Sequence, residues 1–203
     1  MAIKVGITGG IGSGKSVVAR VFSLMGIPVL HADTVAKQLM DTDEQLKSAI
    51  IDLLGEMAYK HGRLDRAFVA AQVFNQPNLL EALNKIVHPA TIQYSEQWAQ
   101  QQAAPYVLKE AAILFESGSY RDLDKIIGVY ASPSLRLKRA MSRDGATEAD
   151  IRRRMDKQMD DDEKMKRCDY VIINDETQSI IHQVLQVHEQ ILLWIENQSL
   201  LKK

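Results

Sequence analysis

Gly9-Gly10-Ile11-Gly12-Ser13-Gly14-Lys15-Ser16 fills every fixed position of G-x-x-x-x-G-K-[ST], between the apolar run Ile3 to Thr8 and a helical stretch from Lys15 to Met25. That order constrains the fold more than any other feature of the chain. A strand must deliver the loop, and a helix must open as the loop ends. Glycines let backbone N–H groups turn inward around phosphate oxygens, where a Cβ would clash. The helix opening at Gly14 to Ser16 aims its N-terminal dipole at the anion. Lys15 can then reach the β and γ phosphates, and the Ser16 hydroxyl can ligate Mg²⁺. The loop predicts a bound nucleoside triphosphate, with Gly12, Ser13, Gly14, Lys15, Ser16 and Val17 as candidate contacts.

Further short apolar runs follow: Ile27 to Leu30 after Gly26, Tyr106 to Leu108 after Pro105, Lys125 to Tyr130, and Tyr170 to Ile173. Runs apolar on both faces and separated by helical patterns are what a parallel sheet covered on both sides requires. Right-handed crossovers then give a doubly wound, three-layer α/β core with a five-stranded parallel sheet. Two intervals are too long for a simple crossover. Residues 34 to 104 read as nearly all helix, with Asp41-Thr42-Asp43-Glu44 as a start signal, and form an insertion able to hold a substrate. Residues 131 to 169 alternate in charge, from Arg136 and Lys138 to Asp160-Asp161-Asp162-Glu163, and most of that run reads as solvated helix face. From Gln178 to Leu201, Ile180, Val184, Val187, Ile191, Leu192 and Ile195 form one apolar stripe of a core-facing helix. His182 and His188 read as surface residues of that helix, and Lys202 and Lys203 as its end.

Composition narrows the partners. Lys plus Arg total 25 against 26 for Asp plus Glu, so no concentrated positive charge points to nucleic acid or to an anionic membrane. Cys168 is the only cysteine, which excludes an intramolecular disulfide and a Cys-based zinc site. No run approaches the roughly 20 apolar residues of a membrane span. Met1-Ala2-Ile3-Lys4 lacks the pattern of a signal peptide, so the chain is expected in the cytoplasm, as a monomer or weak homo-oligomer.

What the triphosphate is used for is narrower still. Asn84-Lys85-Ile86-Val87 has Val87 where a guanine-reading motif needs aspartate, and Asp52-Leu53-Leu54-Gly55 reads as a helix end. A small phosphotransferase fits best, because positioning and charge neutralisation carry phosphoryl transfer and a basic closing segment supplies both. Transfer to another small acceptor, such as a nucleoside monophosphate, stays open, as does a binding module that hydrolyses ATP poorly.

From Ile3 to about Asp175 the chain resembles the dephospho-CoA kinases. The resemblance rests on Gly6 to Ser16, on Gly26-Ile27-Pro28-Val29-Leu30-His31-Ala32-Asp33, and on Leu83-Asn84-Lys85-Ile86-Val87-His88-Pro89. Ala112-Ile113-Leu114-Phe115-Glu116, Arg139 to Gly145, Arg154-Met155-Asp156-Lys157-Gln158 and Cys168 to Asn174 continue it in order. His31 stands where the family's triplet begins with aspartate, Arg136 where many relatives have Gln, and Glu110-Ala111-Ala112 in place of an Asp-Ile-Pro-like stretch.

The resemblance implies a P-loop kinase fold and transfer of phosphate from ATP, with Mg²⁺, to the ribose 3′-hydroxyl of dephospho-CoA, the last step of coenzyme A synthesis. It implies a nucleotide-binding core (1–33, 105–138 and 168–203), a helical CoA-binding insertion (34–104) and a lid (139–167). Asp33, at the end of the second strand, is the expected general base; a helix N-cap is its structural alternative. Lys15 and Arg139 complete the expected catalytic set, and Arg143 and Asn174 join the nucleotide contacts. Asn174 is placed either on the ATP base or in an Asx turn. Arg63, Lys85 and His88 are candidate contacts of the acceptor, with His88 biased to a turn by Pro89. Glu110 is a candidate organiser of Mg²⁺ through water, and Glu116 a structural carboxylate.

Overall fold

A computed structural model describes residues 3–73 and 76–200; Lys202 and Lys203 lie outside the described residues. The chain runs β1 (Ile3–Thr8), α1 (Lys15–Leu24), β2 (Val29–His31), α2 (Ala32–Thr42), α3 (Glu44–Leu54), β3 (Tyr59–Lys60), β4 (Arg63–Leu64), α4 (Arg66–Val73) and α5 (Pro77–Gln100). It continues through β5 (Tyr106–Glu110), β6 (Lys125–Tyr130), α6 (Pro133–Asp144), α7 (Glu148–Met155), α8 (Asp161–Lys166), β7 (Tyr170–Ile173) and α9 (Ile180–Leu200). Met1–Leu30 with Ala99–Lys203 form one compact unit, and His31–Trp98 another.

The first unit is an α/β layer structure around a five-stranded parallel sheet of order β2-β5-β1-β6-β7. The central strand β1 pairs in parallel with β5, Ile7 opposite Glu110, and with β6, Ile7 opposite Ile127. A central strand must be apolar on both faces, and Val5 and Ile7 are fully buried. One face packs Val5, Ile7, Tyr106, Leu108 and Ile127 against Val18 and Phe22 of α1 and Val184, Val187 and Ile191 of α9. The other face is covered equally closely. A Cβ on Gly6 would lie 2.6 Å from Leu123, and one on Gly128 2.6 Å from Met165 Sδ. The third apolar run extends beyond Leu108 to Glu110, because pairing with β1 continues to that residue. The second begins two residues later than Ile27, which is buried while still following Gly26 at φ +84°.

His188 departs from its surface reading. It is half-buried, and its Nδ1 is hydrogen-bonded to the buried Tyr106 hydroxyl at 2.7 Å. It follows Val187 and lies one turn from Val184, so it sits at the margin of the apolar stripe and is drawn under it. His182 is exposed.

The second unit, His31–Trp98, has its own core of Leu46, Ile50, Ala58, Leu64, Val69, Leu83 and Val87. Asp43 caps α3 by accepting from Leu46 N at 2.9 Å, and Gly55 at φ +85° ends that helix, as the sequence signals imply. The interval is nearly all helix, with one addition: β3 and β4 form an antiparallel hairpin, Tyr59 opposite Leu64. Its two-residue turn, His61-Gly62, has positive φ at both positions, 51° and 77°, as a primed hairpin turn requires. Each strand has two residues, too few to show alternation. His88 and Pro89 lie inside α5 rather than in a turn. Leu83 and Val87, buried on one face of α5, hold the helix through the proline against its intrinsic cost of about 3 kcal/mol.

Among the described residues no helix is long and apolar enough to cross a membrane.

Candidate active site

The loop between β1 and α1 is shaped by residues that must bend where side chains cannot follow. Gly12 and Gly14 have φ of +80° and +89°, and a Cβ on Gly12 would lie 2.2 Å from the Arg136 carbonyl oxygen. Ser13 N donates to Gly10 O at 3.0 Å, and Val17 N to Gly14 O at 2.9 Å, which turns the chain into α1. Above this helix start lies a cavity of about 240 Å³, lined by Gly12, Gly14, Lys15, Ser16, Val17, and Arg139 and Arg143 of α6. A helix N-terminus, one lysine and two arginines around one space make an anion site. A neighbouring cavity of about 310 Å³ shares Arg139 and Arg143 and adds Leu135, Lys138, Ser142 and Glu176.

Glu110, at the end of β5, reaches this loop. Ser16 Oγ donates to Glu110 Oε1 at 3.3 Å, and Lys15 Nζ stands 3.6 Å from the same oxygen. A hydroxyl and a carboxylate suit Mg²⁺, which takes oxygen donors and binds through one or two protein groups plus substrate phosphates. The described residues hold no group of three or more His, Cys, Asp or Glu fit for an all-protein metal cage.

Asn174 makes no Asx turn; the following residue does, with Asp175 Oδ1 accepting from Thr177 N at 3.0 Å. Asn174 instead donates from Nδ2 to Ser13 O at 2.7 Å. Its backbone carbonyl accepts from Arg139 Nη1 at 3.0 Å, while Arg139 Nη2 donates to Glu176 at 3.1 Å. Arg143 is held by Asp144, Nε to Oδ1 at 2.7 Å, and Arg154 reaches the other Asp144 oxygen at 2.7 Å. The two guanidinium groups keep that carboxyl far below the usual carboxylate range.

The alternating-charge interval is not uniformly solvated. Arg136 is 4% exposed, stacked behind Gly10 and Gly12 and paired with Asp161; burial lowers its pKa. Lys164 is fully buried and donates to Glu116 at 3.1 Å. Glu116 also accepts from Met159 N at 2.9 Å. Burial alone would raise the Glu116 pKa, but the Met159 N–H and Lys164 together hold it below the ordinary value. Gln158 Oε1 accepts from Ile11 N at 2.8 Å. One signal was available for Arg136: it lies four residues before Ala140, the other buried residue of α6, and so shares its inward stripe. Nothing in the pattern marks Lys164, whose burial depends on a carboxylate 48 positions away.

The second unit carries the remaining candidates. Asp33 is exposed in the first turn of α2, where His31 and not Asp33 occupies the N-cap. Arg63 is exposed on β4. Lys85 is exposed on α5 and pairs with Glu81 at 2.7 Å, and His88 lies three residues further along the same helix.

Residues 3–179 match the family model for dephospho-CoA kinase. The dephospho-CoA kinase of Bacteroides fragilis is 39% identical over 188 residues, 92% of each chain. That of Chlorobaculum tepidum is 40% identical over 206 residues, 97% of this chain and 98% of its own. A solved structure from Thermus thermophilus, 34% identical, superposes with a TM-score of 0.82 over 95% of this chain and 97% of that one. The loop with its lysine and two arginines, and a match along nearly the whole length, lead to one assignment: the chain belongs to the dephospho-CoA kinase family.

Proposed function

We propose that this kinase transfers the γ-phosphoryl group of ATP to the ribose 3′-hydroxyl of dephospho-CoA, the closing step of coenzyme A synthesis, with Lys15, Arg139 and Asp33 as its catalytic residues. The observation that carries the reading is the cavity over the start of α1, with Lys15, Arg139 and Arg143 in its wall. The transferring group gathers negative charge that must be neutralised where it develops. Backbone N–H groups of Gly12 and of Gly14 to Ser16 cradle the phosphates while the Ser13 N–H closes the loop on Gly10 O. Lys15 meets the transferring end, and Val17 lines the same space. Arg139 and Arg143 leave their carboxylate partners for phosphate oxygens as the nucleotide enters. Asn174 serves the nucleotide by holding the loop at Ser13.

Ser16 and Glu110 would hold Mg²⁺, which supplies charge neutralisation between the phosphates when bound. The fit rests on their two oxygens beside Lys15. In the second unit, Asp33 orients the acceptor hydroxyl and takes its proton, while Arg63, Lys85 and His88 bind the rest of the acceptor. Exposed Arg63 and Lys85 suit its phosphate groups. Within the expected lid, residues 139–167, the part before Gln158 is the moving one, because residues 159–164 are tied to Glu116 and Arg136; residues 34–104 act as the acceptor-binding insertion. A net charge of −1 supports small-molecule partners over nucleic acid or an anionic membrane.

The deciding experiment mixes the purified chain with dephospho-CoA and Mg-ATP and follows coenzyme A and ADP. Equal formation of both products supports the reading. ADP formed without coenzyme A would remove it.

A further inference from the structure

A loop with glycine at positions 9, 10, 12 and 14 is expensive to order, since each residue fixed in one backbone well costs about 1–2 kcal/mol. Something outside the loop must hold it in shape before the nucleotide arrives. Asn174 does so at Ser13. At the other end the partner is Gln158, 147 positions along the chain, whose Oε1 accepts from Ile11 N at 2.8 Å. Its Nε2 reaches the Ala112 carbonyl at 3.5 Å, so both ends of the amide are engaged.

Gln158 does not rest on a swinging segment. The next residue, Met159, donates its N–H to Glu116 at 2.9 Å. Lys164 donates to the same carboxylate at 3.1 Å from a fully buried position. Asp161 pairs with Arg136, whose backbone carbonyl packs on Gly12. Residues 158 to 164 are therefore fastened to the sheet unit at three points, and the glutamine amide is presented to the loop from a fixed base.

We propose that Gln158 is a positioning residue of the phosphate loop: its side-chain carbonyl claims the Ile11 N–H, so that the phosphate-binding N–H groups begin at Gly12, and keeps the glycine-rich turn in the shape that receives the triphosphate. The proposal rests on the reading that ATP occupies this loop. Pre-ordering of this kind raises affinity by removing the entropy of ordering from the binding step. It touches neither the acceptor nor the transferring atoms.

The test compares wild type with Gln158→Leu, which keeps the volume and deletes both hydrogen bonds. Three quantities are read: ATP affinity by calorimetric titration without acceptor, hydrogen exchange at the Ile11 amide, and steady-state constants for both substrates. The expected result for Gln158→Leu is ATP binding weaker by about three- to tenfold, the worth of one such hydrogen bond. Protection of the Ile11 amide is lost, while kcat at saturating ATP and KM for dephospho-CoA stay within about twofold of wild type, far inside the tenfold that 1.4 kcal/mol represents. Should Gln158→Leu not fold, Gln158→Asn, which stays polar but is too short to reach Ile11, repeats the measurement. Unchanged ATP affinity overturns the proposal, as does an Ile11 amide that stays protected or an equal rise in both KM values. Wild type that fails to bind ATP removes the reading beneath it; normal wild-type binding beside an unaffected variant removes the proposal alone.

Discussion

The Asn174 side-chain amide donates to the Ser13 carbonyl oxygen at 2.7 Å, tying the end of β7 to the middle of the phosphate loop. A buried backbone carbonyl in so tight a loop needs a hydrogen-bond partner of its own. Asn174 supplies one from a site 7% exposed. In Asn174→Asp the donor becomes a carboxylate oxygen facing a carbonyl, which leaves Ser13 O unpaired and sets two acceptors against each other. An unsatisfied buried acceptor costs about 1–3 kcal/mol. ATP affinity is expected to fall by roughly five- to a hundredfold, with dephospho-CoA binding unchanged. Calorimetric titration of each ligand checks this, and equal loss of both would count against it.

Lys15→Ala is expected to abolish turnover while leaving the fold intact. Lys15 is the loop's own mobile cation, and its neighbour Glu110 is an anion 3.6 Å away. Removing the lysine turns the charge at that point against phosphate. Coupled detection of ADP beside far-ultraviolet circular dichroism reads both quantities. Wild-type turnover in the variant would remove the loop from the reaction.

The Lys164–Glu116 pair yields a stability prediction. Glu116→Ala strips the fully buried Lys164 of its carboxylate. Leaving a buried charge without its partner costs about 3–5 kcal/mol. Urea denaturation should show that loss, whereas a change under about 1 kcal/mol, the size of a surface pair, would mean that solvent reaches the lysine.

His188 predicts a pH dependence. Burial lowers its pKa from the ordinary 6.5, so the unfolded chain takes up this proton at a higher pH than the folded one. Between the two values the unfolded state carries more protons, and stability rises with pH. Stability is then highest above the ordinary 6.5 and falls as pH drops through that value toward the lower folded one. Protonation also fixes Nδ1 as a donor, so that the Tyr106 hydroxyl has to accept. Melting temperatures between pH 7 and pH 5 should fall for wild type and stay flatter for His188→Gln. Parallel curves would exclude the residue as their source.

The sheet and the loop were legible because each is written in consecutive residues. Ile3 to Thr8 is apolar enough to be buried on both faces, and Gly9 to Ser16 carries its own mechanism. What escaped was encoded at a distance. Arg136 and Lys164 read as solvated because their counter-charges, Asp161 and Glu116, lie 25 and 48 positions away. The β3–β4 hairpin escaped because two-residue strands have no period, and only His61-Gly62 marked the turn. Pro89 points His88 toward a turn, but that local backbone preference gives way to the core on either side of it, Val87 and Ala90. Asp33 is legible as a carboxylate after a strand, and the structure leaves it exposed in the first turn of α2.

A ribose hydroxyl is a poor nucleophile at neutral pH, and its attack must run in line with the departing ADP. A carboxylate that holds this hydroxyl can take its proton as the P–O bond forms. Asp33 is exposed in the first turn of α2, its side chain open to a ligand. Asp33→Asn keeps the shape and still forms hydrogen bonds, but its amide accepts no proton. Turnover is expected to fall by roughly 10²–10⁴-fold, the range for a lost general base. ATP affinity should change little, because Asp33 lies outside the proposed triphosphate site at Gly12 to Ser16. A transition state of metaphosphate-like character delays proton removal and moves the loss toward the lower end. Turnover and ATP affinity measured together separate the outcomes. A loss under about tenfold removes Asp33 as the base, and a matching loss of ATP binding reassigns it to the surroundings of the magnesium ion.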